Sequence, residues 1–110
     1  MRQGIVIYKN EEAGLLTQLD DGAFVFHYHD TWLNASDTPA IRLTFPKNRQ
    51  EYRSSHLFPF FYNMLPEGTN KDIVCHDLRI DKSDHFGLLL KIAANDTIGA
   101  VRVIKRDTAD

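Results

Sequence analysis

Cysteine is almost absent: Cys75 is the single one in 110 residues, so no internal disulfide can form, and a lone thiol fits a reducing compartment. Charge of one sign is not in excess either. Thirteen Lys and Arg stand against fifteen Asp and Glu, a net charge of −2, which argues against a nucleic-acid binder working by phosphate neutralisation. No apolar stretch approaches the roughly 18 residues a membrane helix needs. The opening run Ile5-Val6-Ile7-Tyr8 is cut off at once by Lys9-Asn10-Glu11-Glu12, too short for a signal-peptide core. A cytoplasmic protein is expected, with no membrane partner and no direct contact to nucleic acid. The six glycines, at 4, 14, 22, 68, 87 and 99, are isolated. Neither a phosphate-cradling loop nor a dinucleotide fingerprint can be built from them. A chain this short has room for one core, hence a single domain over residues 1–110 with a frayed tail from about 106.

What is present is alternation, then helical spacing. Ile5 and Ile7 oppose Val6 and Tyr8 along a first strand. Residues 9–12 and Gly14 read as a turn, with a second strand over 15–19 returning beside the first. Asp20-Asp21-Gly22 is the sharpest turn signal. In the third strand, Phe24, Phe26 and Tyr28 share a strongly aromatic face expected to meet the core, while Val25, His27 and His29 share the other. Trp32-Leu33 follows, then a loop over 34–39. A fourth alternating segment carries Ile41, Leu43 and Phe45 and is closed by Pro46. Residues 47–55, polar and without period, read as a connecting loop.

From there the chain turns helical. Ser54 or Ser55 can cap a helix with Pro59 in its first turn, with Phe58, Phe61 and Leu65 on one stripe and Tyr62 beside it. Pro66 and Gly68 end that helix. Thr69 and Asp72 open a second one through about Leu78, and Ser83 can cap a third carrying Phe86, Leu89, Leu90 and Ala93. Residues 97–105 alternate again as a last strand. The fold class is therefore α+β: a small antiparallel sheet, partly closed and barrel-like, covered by about three helices.

Chemistry is sparse. His27 and His29 lie two apart on a strand and point the same way, as a shared zinc ion would require, but no third ligand is near; they read as polar residues on a solvated face, with a small metal-dependent enzyme as the alternative. Cys75 and His76 are neighbours, which on a helix splays them about 100° apart, so a buried structural thiol is expected rather than a dyad. No acid and base pair stands out, and no catalytic residue, metal or cofactor is assigned. Lys47, Arg49 and Arg53, with Glu51 among them, read as a solvated loop; an acidic partner surface or an RNA is what they would otherwise meet. The density of large apolar side chains in residues 57–65 is unusual. Either part of that segment faces outward as a protein-docking surface, or Pro59 distorts it so that the rings fill the core.

Residues 17–33, 59–68 (PFFYNMLPEG), 84–90 (DHFGLLL) and 98–103 (IGAVRV), taken in order, resemble the N-terminal subdomain of HipA-type serine/threonine kinases. Members of that family carry a far longer kinase body, with its catalytic aspartate and metal ligands, after this subdomain; none of that is in these residues. A free-standing version is similar to the HipS-like small subunits of three-part HipBST toxin–antitoxin systems. That resemblance implies an antitoxin that binds and restrains a HipT-like kinase, with a HipB-like DNA-binding protein joining a ternary complex. An orphan HipA fragment acting as a scaffold is the alternative. Tyr62 stands where the family often has an acid, and Ala94-Asn95 where it often has glycine. Phe58, Tyr62, Met64 and Leu65 are the candidate partner contacts, while Trp32, which matches a family aromatic, is expected in the core.

Overall fold

The computed structural model describes residues 2–41, 45–63, 65, 68–81, 83–92 and 101–106. Five strands, β1 (Arg2–Tyr8), β2 (Glu11–Gln18), β3 (Phe24–Tyr28), β4 (Glu51–Ser54) and β5 (Val101–Lys105), form one antiparallel sheet in the order β4-β3-β2-β1-β5. Four short helices accompany it: α1 (Asp30–Asn34), α2 (Pro59–Tyr62), α3 (Gly68–Leu78) and α4 (His85–Ile92). The α+β class stands. The sheet is open rather than barrel-like, because three strands separate its edges β4 and β5 and no pairing joins them among the described residues.

The first hairpin turns earlier than expected. Lys9 and Asn10, between the paired Tyr8 and Glu11, take φ of 48° and 72°, the left-handed pair that a two-residue hairpin turn demands. Gly14 is therefore inside β2, not in a turn. Val6 faces Gly14 and Ile7 faces Glu12, leaving Ala13 as the extra residue of a bulge. Glycine is needed at 14 because a Cβ there would lie 2.5 Å from the His27 carbonyl oxygen. The Asp20–Gly22 turn is as expected, with Gly22 at φ 90° and the Asp21 carboxylate accepting from the Ala23 amide at 3.0 Å.

The chief departure is the strand beside β3. Residues 42–44 of the expected fourth strand lie outside the described residues, though Ile41 and Phe45 on either side are buried. The strand that pairs with β3 comes instead from the segment read as a loop, with Phe26 facing Tyr52 and Val25 facing Arg53. It shows no alternation because an edge strand of this length is held by backbone hydrogen bonds to its neighbour, and only Tyr52 packs against the core.

The helices also differ in detail. α1, unpredicted, buries Trp32 as expected of a core residue; its Nε1 donates to the Pro39 carbonyl at 2.9 Å and its ring meets Tyr8 edge-on at 5.7 Å. Phe58, not Ser54 or Ser55, sits at the α2 N-cap and caps with no side-chain bond; Pro59 opens the helix as read. Ser54 Oγ accepts from the His56 amide instead. Asp84, not Ser83, caps α4, its Oδ1 accepting from the Gly87 amide at 3.1 Å. Ala93, Ala94, Asn95 and residues 97–100 lie outside the described residues.

The inward sheet face and the helices bury Phe24, Phe26, Tyr28, Phe45, Phe61, Phe86, Leu88 and Leu89 in one cluster. Tyr28 is the polar member of it. Its hydroxyl accepts from the Ile41 amide at 3.1 Å and donates to the Phe45 carbonyl, tying residues 41 and 45 down over the sheet. Tyr28→Phe leaves both backbone groups buried without that partner, and an unmet buried group costs about 1–3 kcal/mol. We expect the urea midpoint of Tyr28→Phe to fall by a corresponding amount with an unchanged slope; an unaltered midpoint would show that the hydroxyl is not what holds this segment.

Candidate docking site

The segment 57–65 resolves its own puzzle. α2 is a single turn, so its side chains are spread around the whole helix circumference. Leu57, Phe58, Phe61 and Leu65 go inward and are buried. The Phe45 ring organises them, at 5.2 Å from Phe58 and 5.9 Å from Phe61, with Phe60 at 6.5 Å and half-buried. Tyr62 goes outward and is 41 % exposed. Of the four candidate contacts, then, Phe58 and Leu65 belong to the core of this domain, Met64 lies outside the described residues, and Tyr62 presents its ring to solvent.

Tyr62 is also the wall of a cleft. Its ring stands edge-on to the His85 imidazole at 5.0 Å and 86°, and between them, the β2–β3 turn, residues 55–57 and residues 83–86 lies a hollow of about 380 Å³. Phe24 and Phe86, themselves in edge contact at 5.7 Å, line it from the core side. The helix start at its rim is held by charge. Arg2 Nη1 and Nη2 donate to the two Asp84 carboxylate oxygens at 2.9 and 2.6 Å, and Arg2 Nε donates to Gln18 Oε1 at 2.9 Å. Gly87 makes room for this, since a Cβ there would sit 2.2 Å from Asp84 Oδ2. The bonded Arg2 guanidinium holds the Asp84 carboxyl below the usual carboxylate range, against partial burial. Burial, helped by the Lys71 charge, pushes His85 below the usual imidazole value, against Asp84.

The other sequence candidates scatter. His27 Nδ1 stands 3.6 Å from Glu51 on β4, whereas His29 Nε2 stands 3.6 Å from Glu12 on β2. The two imidazoles thus look to different neighbours, and among the described residues no group of three His, Cys, Asp or Glu comes together to hold a metal. Cys75 is buried at 3 % while His76 is exposed, so no dyad forms. Lys47 Nζ donates to the Ala35 and Thr38 carbonyls and to Thr38 Oγ1 at 2.6, 2.7 and 2.8 Å. Arg49 lies over the Tyr52 ring at 5.6 Å, and Arg53 pairs with Glu51 at 2.9 Å. The three cations do not make one patch.

Two exposed apolar residues escaped the sequence reading: Ile73 and Leu78 on α3, 54 and 42 % exposed. The signal was there, since Ile73, Val74 and Cys75 are consecutive and a helix cannot bury all three. Arg2, by contrast, joins the site only through the fold, 82 positions from Asp84. Among the described residues, no helix is long and apolar enough to cross a membrane.

Comparison with known proteins places this geometry. The sequence pattern described as the HipA N-terminal domain matches residues 4–104. A solved structure, the N-terminal domain of HipA toxin, superposes with a TM-score of 0.72 at 31 % identity, covering 99 % of this chain and 96 % of that one. An uncharacterised protein of Haemophilus influenzae is 34 % identical over 103 residues, 94 % of this chain and 92 % of its own length. A putative kinase of Sinorhizobium fredii, Y4mE, is 27 % identical over 94 residues; the match takes in 86 % of this chain and 22 % of that kinase.

The Arg2–Asp84 pair sets a pH dependence. Because the Asp84 carboxyl is depressed in the folded state, its contribution is present above the unfolded carboxylate value of about 4 and is lost as pH falls through the folded value. Side-chain exposures of 39 and 35 % keep it small, at most about 1 kcal/mol. Asp84→Asn, which can still cap Gly87, is expected to melt a few degrees below the parent near neutrality, the gap closing in acid. Parallel melting curves across the whole pH range would remove the pair as the cause.

Proposed function

Since the chain belongs to the HipA N-terminal domain family, we propose that it is a non-catalytic docking subunit that binds a HipA-like serine/threonine kinase region and restrains it, as a HipS-like antitoxin does with a HipT-like kinase. One observation carries this reading. In a segment whose other described aromatic and leucine side chains turn into the core wholly or in part, Tyr62 alone is left exposed, and it borders a cleft with apolar flooring. An aromatic held in that way at low conformational cost is the kind of side chain on which binding energy concentrates. Its support for the family's partner class comes from the match to the Sinorhizobium fredii putative kinase, in which the matched stretch is a minor part of a longer chain.

Restraint then follows one of two routes: a side chain of this domain reaches the kinase active site, or the domain binds an inactive kinase conformation more tightly than the active one. In the second case the shift equals the difference in affinity for the two states. A HipB-like DNA-binding protein completes the assembly, leaving DNA contact to a separate chain. A second reading, a scaffold that packs on the kinase region without restraining it, draws on the same relative and differs only in its effect on activity.

Co-purification with a HipT-like kinase encoded beside this chain, followed by autophosphorylation with and without the chain, separates these outcomes. Phosphorylation should fall as the chain is added. Tyr62→Ala should weaken the complex by about tenfold or more, the loss of an interface anchor, and restore phosphorylation, while its melting temperature stays with the parent. Binding with undiminished phosphorylation would leave the scaffold reading, and an unaltered Tyr62→Ala complex would remove Tyr62 from the interface.

A further inference from the structure

The cleft beside Tyr62 has a chemistry that selects what can enter it. Its floor is apolar, Phe24 and Phe86 being 6 and 1 % exposed. Its walls offer the half-open Tyr62 ring, the Ser83 hydroxyl and the Asp84 carboxylate. Two further acids stand close by. Asp81 accepts from the Ser83 amide and hydroxyl at 2.9 and 2.8 Å, and Asp21 precedes Gly22, which forms the facing wall. Against these three carboxylates stand two described cations, Arg2, which is bonded to Asp84 and Gln18, and Lys71, whose charge reaches His85. The balance around the opening is negative.

Arg2 also displays what this wall does with a guanidinium. Its Cζ lies 5.5 Å over the centre of the Phe86 ring while its nitrogens bond the Asp84 carboxylate, a ring face and a carboxylate used together. The Tyr62 side of the cleft offers a ring again, 41 % exposed and edge-on to His85, in a lining it shares with Ser83 and Asp84.

We propose that the cleft receives an arginine side chain of the docked partner protein, its guanidinium stacked on Tyr62 and hydrogen-bonded to Ser83 Oγ and the Asp84 carboxylate. The proposal rests on the docking reading above and names what that surface grips. A lysine brings the charge without the planar face. An acidic side chain meets Asp84 and Asp81 and is repelled. A purely aliphatic one desolvates the Ser83 hydroxyl and the Asp84 carboxylate while adding nothing to the bonds they already make with Asp81 and Arg2.

The probe is N-acetyl-arginine amide, titrated into the isotope-labelled full chain and followed by amide NMR, with the lysine and glutamate analogues alongside. The arginine analogue should shift the signals of residues 55–57, 62 and 83–86 saturably, at roughly tenfold lower concentration than the lysine analogue. The glutamate analogue should leave them in place. Tyr62→Leu should bring arginine down to the level of lysine, and Tyr62→Phe, which keeps the ring face, should retain the preference. Equal response to arginine and lysine, shifts outside the cleft, or no saturable shift would each overturn the proposal. Its fate is separable from that of the docking reading. A kinase that ignores the chain while arginine still saturates the cleft sinks the docking reading alone, and a kinase complex formed by a chain whose cleft ignores arginine sinks this inference alone.

Discussion

A single buried hydroxyl organises one half of this domain. The sheet is covered on one face by helices of 4 to 11 residues, lengths at which a helix gains little from its own hydrogen bonds and depends on what it packs against. What α2 packs against is Phe45, which has no strand or helix of its own among the described residues and is fixed by its carbonyl on the Tyr28 hydroxyl. From that point Phe45 touches the rings of Phe26, Tyr52, Phe58, Phe60 and Phe61. The order of dependence runs from β3 to Phe45 to α2, and so to the direction in which Tyr62 points. Burial of the Tyr28 ring also pushes its hydroxyl above the ordinary phenol value, against the bond to Ile41, so it remains protonated as donor and acceptor through the neutral range.

How much of this could be read from the residues depended on whether the pattern and the cause coincide. Alternation over Phe24–Tyr28 picks out Phe24, Phe26 and Tyr28 as the core face, although Val25 on the other face is buried too; the helical spacing of Phe86, Leu89 and Leu90 likewise marks buried residues. The turn at Gly22 was legible because glycine is the residue that positive φ favours. The Lys9–Asn10 turn was not, since neither residue is glycine and the eye goes to Gly14, whose glycine serves the approach of the His27 backbone instead. β4 was hidden for a related reason: pairing at an edge is a backbone property and leaves little mark on side chains. At the site, crowding said only that part of segment 57–65 faces outward, and Tyr62 stood out because it replaces the acid that the resembled family often has there. For Phe58 and Leu65 the residues left inward and outward readings both open, because which side of a one-turn helix faces the core is decided by Phe45, far away in sequence.

Charge in this molecule is spent on local fastening. Lys47 gathers three oxygens and so closes the loop that follows α1. Arg53 holds Glu51 and keeps that carboxyl below its usual range, with His27 adding to the effect. Arg2 clamps the first strand to the cap of α4. The three cations just named, each committed to its own partner, are not the continuous stripe that a phosphate backbone rewards, which agrees with the near-balanced composition.

Besides the exposed Ile73 and Leu78 of α3, two surfaces compete as the place for the proposed docking. On the far side of the sheet the register sets Ile104, Ile5, Leu15, His27 and Glu51 in one row across five strands, all half-buried. Such a row is what a sheet with one covered face ordinarily leaves to solvent: apolar at the centre and charged at the end. The Tyr62 end differs in shape and in composition. It is concave, floored by rings already fixed in the core, and walled by polar groups whose positions are set by the Arg2–Asp84 clamp and the Asp81 turn. Interfaces draw most of their energy from a few well-placed side chains entering prepared hollows, not from area. Among the described residues the largest rings are committed to the core, whereas Tyr62 is an exposed aromatic beside such a hollow, and that conjunction is why we propose docking there rather than on the sheet.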